Sequence, residues 1–450
     1  MQIPEILFYI GLFLAIGFAV AFFLKKKYKA QLFLHFVSII KSKKPLPFFQ
    51  KFARFKRFFI LFANAGLILG FGAVAVDYIY GQRLSRIRRA ILFIASFALL
   101  YIGSFLVLGQ NANAFVSSNS ILIFSSFALF GLAGFSILLL AVHAVEVVQG
   151  IFSGVKTFPG VAPIIPGVQL PNVPIYVPLH GWLSLLIILV VHESFHGILA
   201  CVHKIKLKSA GLILAGFLPI GAFVEPDEKQ FSREKPLKRL QVLSVGSMSN
   251  FAMFAVVGLL YLGVFSAFVA PFAEQKVVVY SVSEFLSVNG TLEKAPAFGV
   301  LNVGDTIVSA NGVDVNSIPG LEKIVKGSET LNFGLKDING VSRFVSLQKN
   351  SAGSIGATFA QPVDDAKVNP LALFIAEFLF WLFMLSLFVA IANFMPFWAF
   401  DGGQMVKLLL LPYFGFLKMD AKETEKFIGR LFVWIVGILL LINALPLLQF

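Results

Sequence analysis

The sequence predicts a polytopic α-helical membrane protein of about eight spans, with a β-rich extramembrane domain inserted before the last two. Composition is the first reason: 58% of the 450 residues are hydrophobic and only 13% charged, with a mean hydropathy of +0.86. One water-soluble core cannot hold that much apolar surface, so much of it must face lipid. The second reason is pattern, because the apolar residues fall in long runs broken by short basic clusters. The third is a single stretch, 273–366, whose character is soluble.

Taken in order, the runs lie near 6–24, 58–80, 91–109, 121–145, 181–201, 240–270, 371–396 and 431–448. The first lacks a basic leader and is followed by Lys25, Lys26 and Lys27, which suits a retained anchor better than a cleaved signal. Segment 149–180 carries Pro159, Pro163, Pro166, Pro171, Pro174 and Pro178, which excludes a helix interior and predicts a structured loop. In 273–366 the β-branched strings Lys276–Ser283, Thr306–Ser309 and Arg343–Leu347 alternate with Gly and Asn turn signals. The chain therefore divides into N-terminal transmembrane segments (1–148), a first half-core (149–272), the β-rich domain (273–366) and a second half-core (367–450).

The net charge of +14 is no sign of nucleic-acid binding, because the basic residues flank apolar runs and match loops facing anionic headgroups. The positive-inside rule puts Arg54, Lys56 and Arg57, then Lys204, Lys206 and Lys208, then Lys407, Lys418, Lys422 and Arg430 in the cytoplasm. The β-rich domain then lies outside, and the sequon Asn289-Gly290-Thr291 fits that side. Strict alternation of spans, however, sends Arg83, Arg86, Arg88 and Arg89 outward, so 58–80 or a neighbouring run is expected not to cross fully. The lone cysteine, Cys201, excludes an internal disulfide and a cysteine-rich metal site.

Chemistry concentrates in the fifth run, at His192-Glu193-Ser194-Phe195-His196. On a helix the two histidines stand at i and i+4 on one face, aimed at a single metal. Glu193 sits about 100° round from His192, able to reach a water at that metal as a general base without being a ligand. The bland reading is a polar trio pairing helices, but three ionisable residues at lipid depth are costly without a metal or a wet cavity. Catalytic zinc takes three protein ligands, so one more must come from elsewhere. Asp401 is the candidate, in Asn393-Phe394-Met395-Pro396-Phe397-Trp398-Ala399-Phe400-Asp401-Gly402-Gly403. Pro396 breaks the helix there, and the glycine pair lets the backbone bend close to the metal. Spacing alone leaves open that Asp401 merely caps the next helix.

HExxH within a membrane span, together with a distant NxxPxxxxDG, resembles the site-2 protease family of intramembrane zinc metalloproteases. The resemblance implies His192, His196 and Asp401 as Zn2+ ligands, Glu193 as the base, and Asn393 and Pro396 shaping the segment that holds substrate. Gly246-Ser247-Met248-Ser249-Asn250 is similar to the family's GxxxN element, which implies that Asn250 contacts substrate or the active-site region; a small-residue packing motif reads equally well. Lys204–Glu228 resembles the membrane-inserted β-hairpin after the catalytic helix, whose edge would pair with unwound substrate; a plain span is the alternative, and the short, Gly-rich 209–224 favours the hairpin. Val303-Gly304-Asp305-Thr306-Ile307 and Asn311-Gly312-Val313 are similar to PDZ domains of proteases, implying a domain that takes a peptide ligand.

Among the remaining polar residues, His143 and Glu146 read as a helix-end pair, and His35 and His203 as surface. Asp77 and Glu377 should face the bundle or a cavity. The expected function is an intramembrane zinc endopeptidase for membrane-spanning proteins, embedded in the cell membrane with its site toward the cytoplasm. The rival is an inactive membrane scaffold binding clients through the PDZ-like domain. A metal transporter using the same ligands is disfavoured because no inverted-repeat pair of broken helices is apparent in the sequence.

Overall fold

The computed structural model describes residues 3–33, 36–108, 114–155, 157–170, 173, 175–288, 291–364 and 366–448. His35, Pro171, Pro174 and the Asn289-Gly290 pair of the sequon lie outside the described residues. The N-terminal third comprises α1 (Ile3–Tyr28), β1 (Gln31–Phe33), β2 (Val37–Ser42), α2 (Leu46–Phe52), α3 (Lys56–Tyr80), α4 (Arg86–Leu108) and α5 (Ala114–Ser153). The first half-core holds α6 (Gly181–Val202), β3 (Leu207–Ala215), β4 (Leu218–Pro226), α7 (Glu228–Arg233) and α8 (Pro236–Phe268). Seven helical stretches among the described residues are long and apolar enough to cross a membrane, and α1 adds a further apolar helix of 26 residues.

The β-rich domain follows α8, with β5 (Val277–Val282), β6 (Phe285–Val288), β7 (Thr291–Lys294), β8 (Thr306–Ala310), β9 (Val313–Asp314), α9 (Ile318–Lys326), β10 (Thr330–Lys336), β11 (Ser342–Gln348) and β12 (Ala357–Ala360). Its main sheet runs β11-β10-β8-β5-β12 with β9 on β8, and β6 and β7 form a separate hairpin. Val277, Val279, Ile307, Leu331, Phe333 and Leu335 point inward to make its own core, the alternation expected of half-buried strands. Asp305 is buried, accepting from the Asn302 N–H at 2.8 Å and from Arg343. The chain ends in α10 (Pro370–Phe394), α11 (Asp401–Leu410) and α12 (Ala421–Ala444).

Neither α3 nor α5 is one continuous helix. Each breaks at a Phe-Gly pair: Gly72 has φ +54° and Gly131 φ +56°, where a side chain is strained. The two breaks face each other. A β-carbon on Gly72 would stand 2.6 Å from the Ala128 carbonyl oxygen, and one on Gly131 would stand 2.5 Å from the Phe71 nitrogen. The first half of α3 runs along α8, with Asn64 accepting from Gln241 and the Ala63 carbonyl from Ser244, and reaches Met248 at Gly66. The second half returns to the cluster that contains Leu237 and Leu240. There Asp77 accepts from Arg89 Nε and Nη2 at 2.7 and 2.6 Å and from the Tyr413 hydroxyl. The first half of α5 packs on α4 through Phe124, and its second half follows α12 from Phe432 to Asn443.

Both breaks occur in runs that the sequence leaves looking continuous. Phe71 and Phe130 pack edge to face across the two breaks. Among the described residues, the one cluster of three or more metal-capable side chains is His192, Glu193 and His196. Two further expectations change. Glu377 is exposed on α10 rather than turned into the bundle, and His203 is buried at the end of α6. His143 pairs with Glu146 at 3.0 Å as expected, and its other ring nitrogen meets the Phe158 carbonyl, tying α5 to the proline-dense loop.

Candidate active site

Helix α6 is apolar along its length until His192, and its start is buried against Pro166 and Val177 of the preceding loop. It brings His192 and His196 together, with their Nε2 atoms 3.0 Å apart. Asp401 arrives from the other half-core. Pro396 and the extended Met395 end α10, the chain crosses a short loop, and Asp401 opens α11. Its Oδ2 lies 3.2 Å from His192 Nε2 and 3.1 Å from His196 Nε2. The capping alternative falls away, since the N-cap of α11 is Phe400 and no side chain caps it.

The glycine pair makes the bend before Asp401 possible. β-carbons on Gly402 and Gly403 would strike the carbonyls of Phe394, Met395 and Phe397, so the pair lets α11 fold back onto the end of α10. That close backbone contact fixes where the first turn of α11 starts, and with it Asp401.

Three donor atoms thus form a triangle with edges of 3.0, 3.1 and 3.2 Å. Two nitrogens and an oxygen around one tetrahedral zinc would be about 3.3 Å apart. The neighbours of each ring agree with a cation at the centre. His196 Nδ1 donates to the Val242 carbonyl at 2.6 Å, which leaves the Nε2 lone pair facing the triangle. Asn250 lies 2.9 Å from His192 Nδ1 through its Nδ2, while its buried Oδ1 has no partner. Turning that amide over lets Oδ1 accept from Nδ1–H and frees the Nε2 lone pair of His192 as well. Lone pairs held this close repel unless a positive charge lies among them. The residues therefore fit a divalent metal, and nitrogen with carboxylate oxygen is a donor set that zinc accepts.

Glu193 stands beside the triangle, and its Oε2 accepts from the Val224 backbone N–H at 3.0 Å. Val224 belongs to β4, the edge of a four-stranded antiparallel sheet ordered β1-β2-β3-β4. The hairpin of β3 and β4 matches the expected Lys204–Glu228 element, but its extension by β1 and β2 from the N-terminal third was not legible. Lys41 of β2 reaches Glu225 at 3.0 Å and Ser209 of β3 donates to it at 2.7 Å. The Ser209 hydroxyl, then the Lys41 ammonium, hold the Glu225 carboxyl below the usual range. The sheet is thereby pinned one residue from the backbone that holds Glu193.

Of the residues expected to meet substrate, Asn250 is fully buried and spends its amide on His192. Asn393 bonds to the Val389 carbonyl of its own helix at 3.0 Å, and Pro396 is buried beyond it at the end of α10. Gly246 carries a role the sequence did not disclose, since a β-carbon there would stand 2.8 Å from His192 Nε2. The small residue of GxxxN is the floor of the site. Val242 and Val224, which act through backbone atoms, left no side-chain signal to read.

Comparison with known proteins agrees with this geometry. The family model for peptidase family M50 matches residues 180–436. An uncharacterized protein of Methanocaldococcus jannaschii is 28% identical over 225 residues, 49% of this chain and 54% of that protein. The chain spans about half the length of that curated relative.

Proposed function

Because the chain belongs to peptidase family M50, we propose that it is an intramembrane zinc endopeptidase that hydrolyses transmembrane segments of membrane-anchored proteins. The observation that carries the reading is the convergence of His192, His196 and Asp401 on one point with Glu193 beside it. In this reading those three residues hold Zn2+. Bound zinc supplies Lewis-acid polarisation of a carbonyl and makes a nearby water more acidic.

The chain's own residues do the rest. Glu193 takes a proton from the attacking water as the C–O bond forms, then delivers it to the leaving nitrogen as the C–N bond breaks. Its carboxylate is oriented by the Val224 N–H, so the strand and the base are held in register. The free edge of β4 offers backbone donors and acceptors to an unwound substrate segment, whose own helix would otherwise shield its peptide bonds. Asn250 orients His192, and Asn393 and Pro396 shape the substrate side of the Asp401 loop. The β-rich domain acts as a PDZ-like module for peptide ligands.

In the same reading the site faces the cytoplasmic side. A broken α3 that enters and leaves at the start of α8 returns Arg83, Arg86, Arg88 and Arg89 to the side of Lys204 and Lys422, as the positive-inside rule requires. The β-rich domain then stands outside the cell membrane.

The test is cleavage of tagged membrane-anchored candidates by detergent-solubilised wild type, Glu193→Gln and chelator-treated protein. Glu193→Gln should keep its zinc and lose about 10²- to 10⁴-fold in rate. Cleavage by a zinc-loaded Glu193→Gln protein at the wild-type rate, or by metal-free protein, would sink the mechanism.

A further inference from the structure

We propose that the cleft between α11 and α12 binds the phosphodiester headgroup of an anionic membrane lipid. The cleft has a volume of about 610 Å³ and lies beside the loop that leads to Asp401, with Pro396 in its wall. Lys422, Lys426 and Arg430 line it at i, i+4 and i+8, one stripe down α12. Lys407 completes the set from α11, its stem lying over Gly429 where a β-carbon would come within 3.0 Å of Cδ.

Four cations face one carboxylate in this space, that of Glu425. None of the four makes an ion pair among the described residues. Cations crowded together without counter-charges repel one another and are relieved by an anion, and a phosphodiester oxygen accepts from several of them at once.

The surroundings select a lipid over a soluble phosphate. Trp398 and Trp434 line the cleft and are 70% and 69% exposed. Exposed tryptophan beside an apolar helix is the signature of the membrane–water boundary, where the indole nitrogen meets headgroups and the ring meets acyl chains. The stripe sits at the start of the 28-residue stretch Ala421–Leu448, which is long and apolar enough to span a bilayer. A headgroup bound there would have its chains alongside Trp434 and its phosphate among the lysines, the arrangement by which basic pockets between transmembrane helices hold anionic lipids.

The experiment uses the full chain in nanodiscs of phosphatidylcholine with a minority of brominated phosphatidylglycerol or brominated phosphatidylcholine. Trp182→Phe and Trp381→Phe in the background leave Trp398 and Trp434 as the only indoles, so quenching reports lipid at the cleft. Brominated phosphatidylglycerol should quench severalfold more than its share, and Lys422→Gln with Lys426→Gln and Arg430→Gln should bring it down to the level of brominated phosphatidylcholine. Lys323→Gln with Lys326→Gln, in the β-rich domain, should change nothing. Glu425→Gln should strengthen the enrichment, a gain that misfolding cannot mimic. Equal quenching by the two lipids, or enrichment that survives the triple substitution, overturns the proposal. So does competition by inorganic phosphate beyond that of chloride at equal ionic strength, which would mark a site for a soluble anion.

Discussion

The backbone of Gly246 lies directly behind His192, so close that a β-carbon there would stand 2.8 Å from the ring's Nε2. Any side chain at this position enters the space between the two histidines. Gly246→Ala is therefore expected to lose bound zinc, and with it at least about 10²-fold in activity, while helix content stays unchanged. Metal analysis beside circular dichroism checks this, and an alanine variant with full zinc would show that the floor can yield.

Val224→Pro isolates the contact between the edge strand and the base. Proline is tolerated on an edge strand where its N–H is not part of the ladder, and the Val224 N–H points at Glu193. Losing one hydrogen bond to a charged acceptor should slow cleavage about ten- to a hundredfold with zinc content intact. Equal kinetics in wild type and variant would mean that the strand does not position the base.

Asn250→Ala removes the partner of His192 Nδ1. Zinc affinity should fall about 10- to 100-fold, as for other groups that orient a metal-binding imidazole. Competition with a calibrated chelator measures it. Unchanged affinity would assign Asn250 to substrate contact instead.

Much of this arrangement is legible in the sequence, and the parts that are not share a cause. The helix of His192 and His196 could be read because a charged trio inside an apolar run has few uses; proline and glycine around Asp401 made it a candidate, and only the family resemblance chose ligand over cap. The β3–β4 hairpin showed through its short, glycine-rich span. By contrast, β2 is six residues of ordinary composition, and its place is set by pairing with a strand far along the chain. The breaks in α3 and α5 carry no proline. A Phe-Gly pair in an apolar run looks like continuous helix until the facing backbone is known, although the misplaced arginines after α3 did signal that something there failed to cross. Gly246 was noticed as part of a packing motif, but only the packed site shows what the missing side chain makes room for.

Gly72→Ala and Gly131→Ala should each destabilise the protein by about 1–3 kcal/mol or more, from positive φ combined with a backbone collision. Gly103, with nothing within 4 Å of a built β-carbon, is the control, and alanine there should be neutral or mildly stabilising. Thermal unfolding in one detergent compares the three.

Asp77→Asn leaves the Arg89 guanidinium facing a neutral amide beneath Tyr413. The Arg89 side chain is 35% exposed, so removing its charged partner should cost about 1–3 kcal/mol, whereas Asp77→Leu with Arg89→Met should recover much of that loss. If the single and double variants unfold alike, the pair is not what ties α3 and α4 to the segment after α11.

The facing breaks of α3 and α5 also bear on biogenesis. The chain leaves the ribosome from its N-terminus, so the bend at Gly72 is made well before Ala128 and Gly131, the backbone that covers it. Until α5 is made, the turn at Gly72 lacks the backbone that covers it. The packing around Gly72 is therefore completed only with the arrival of α5.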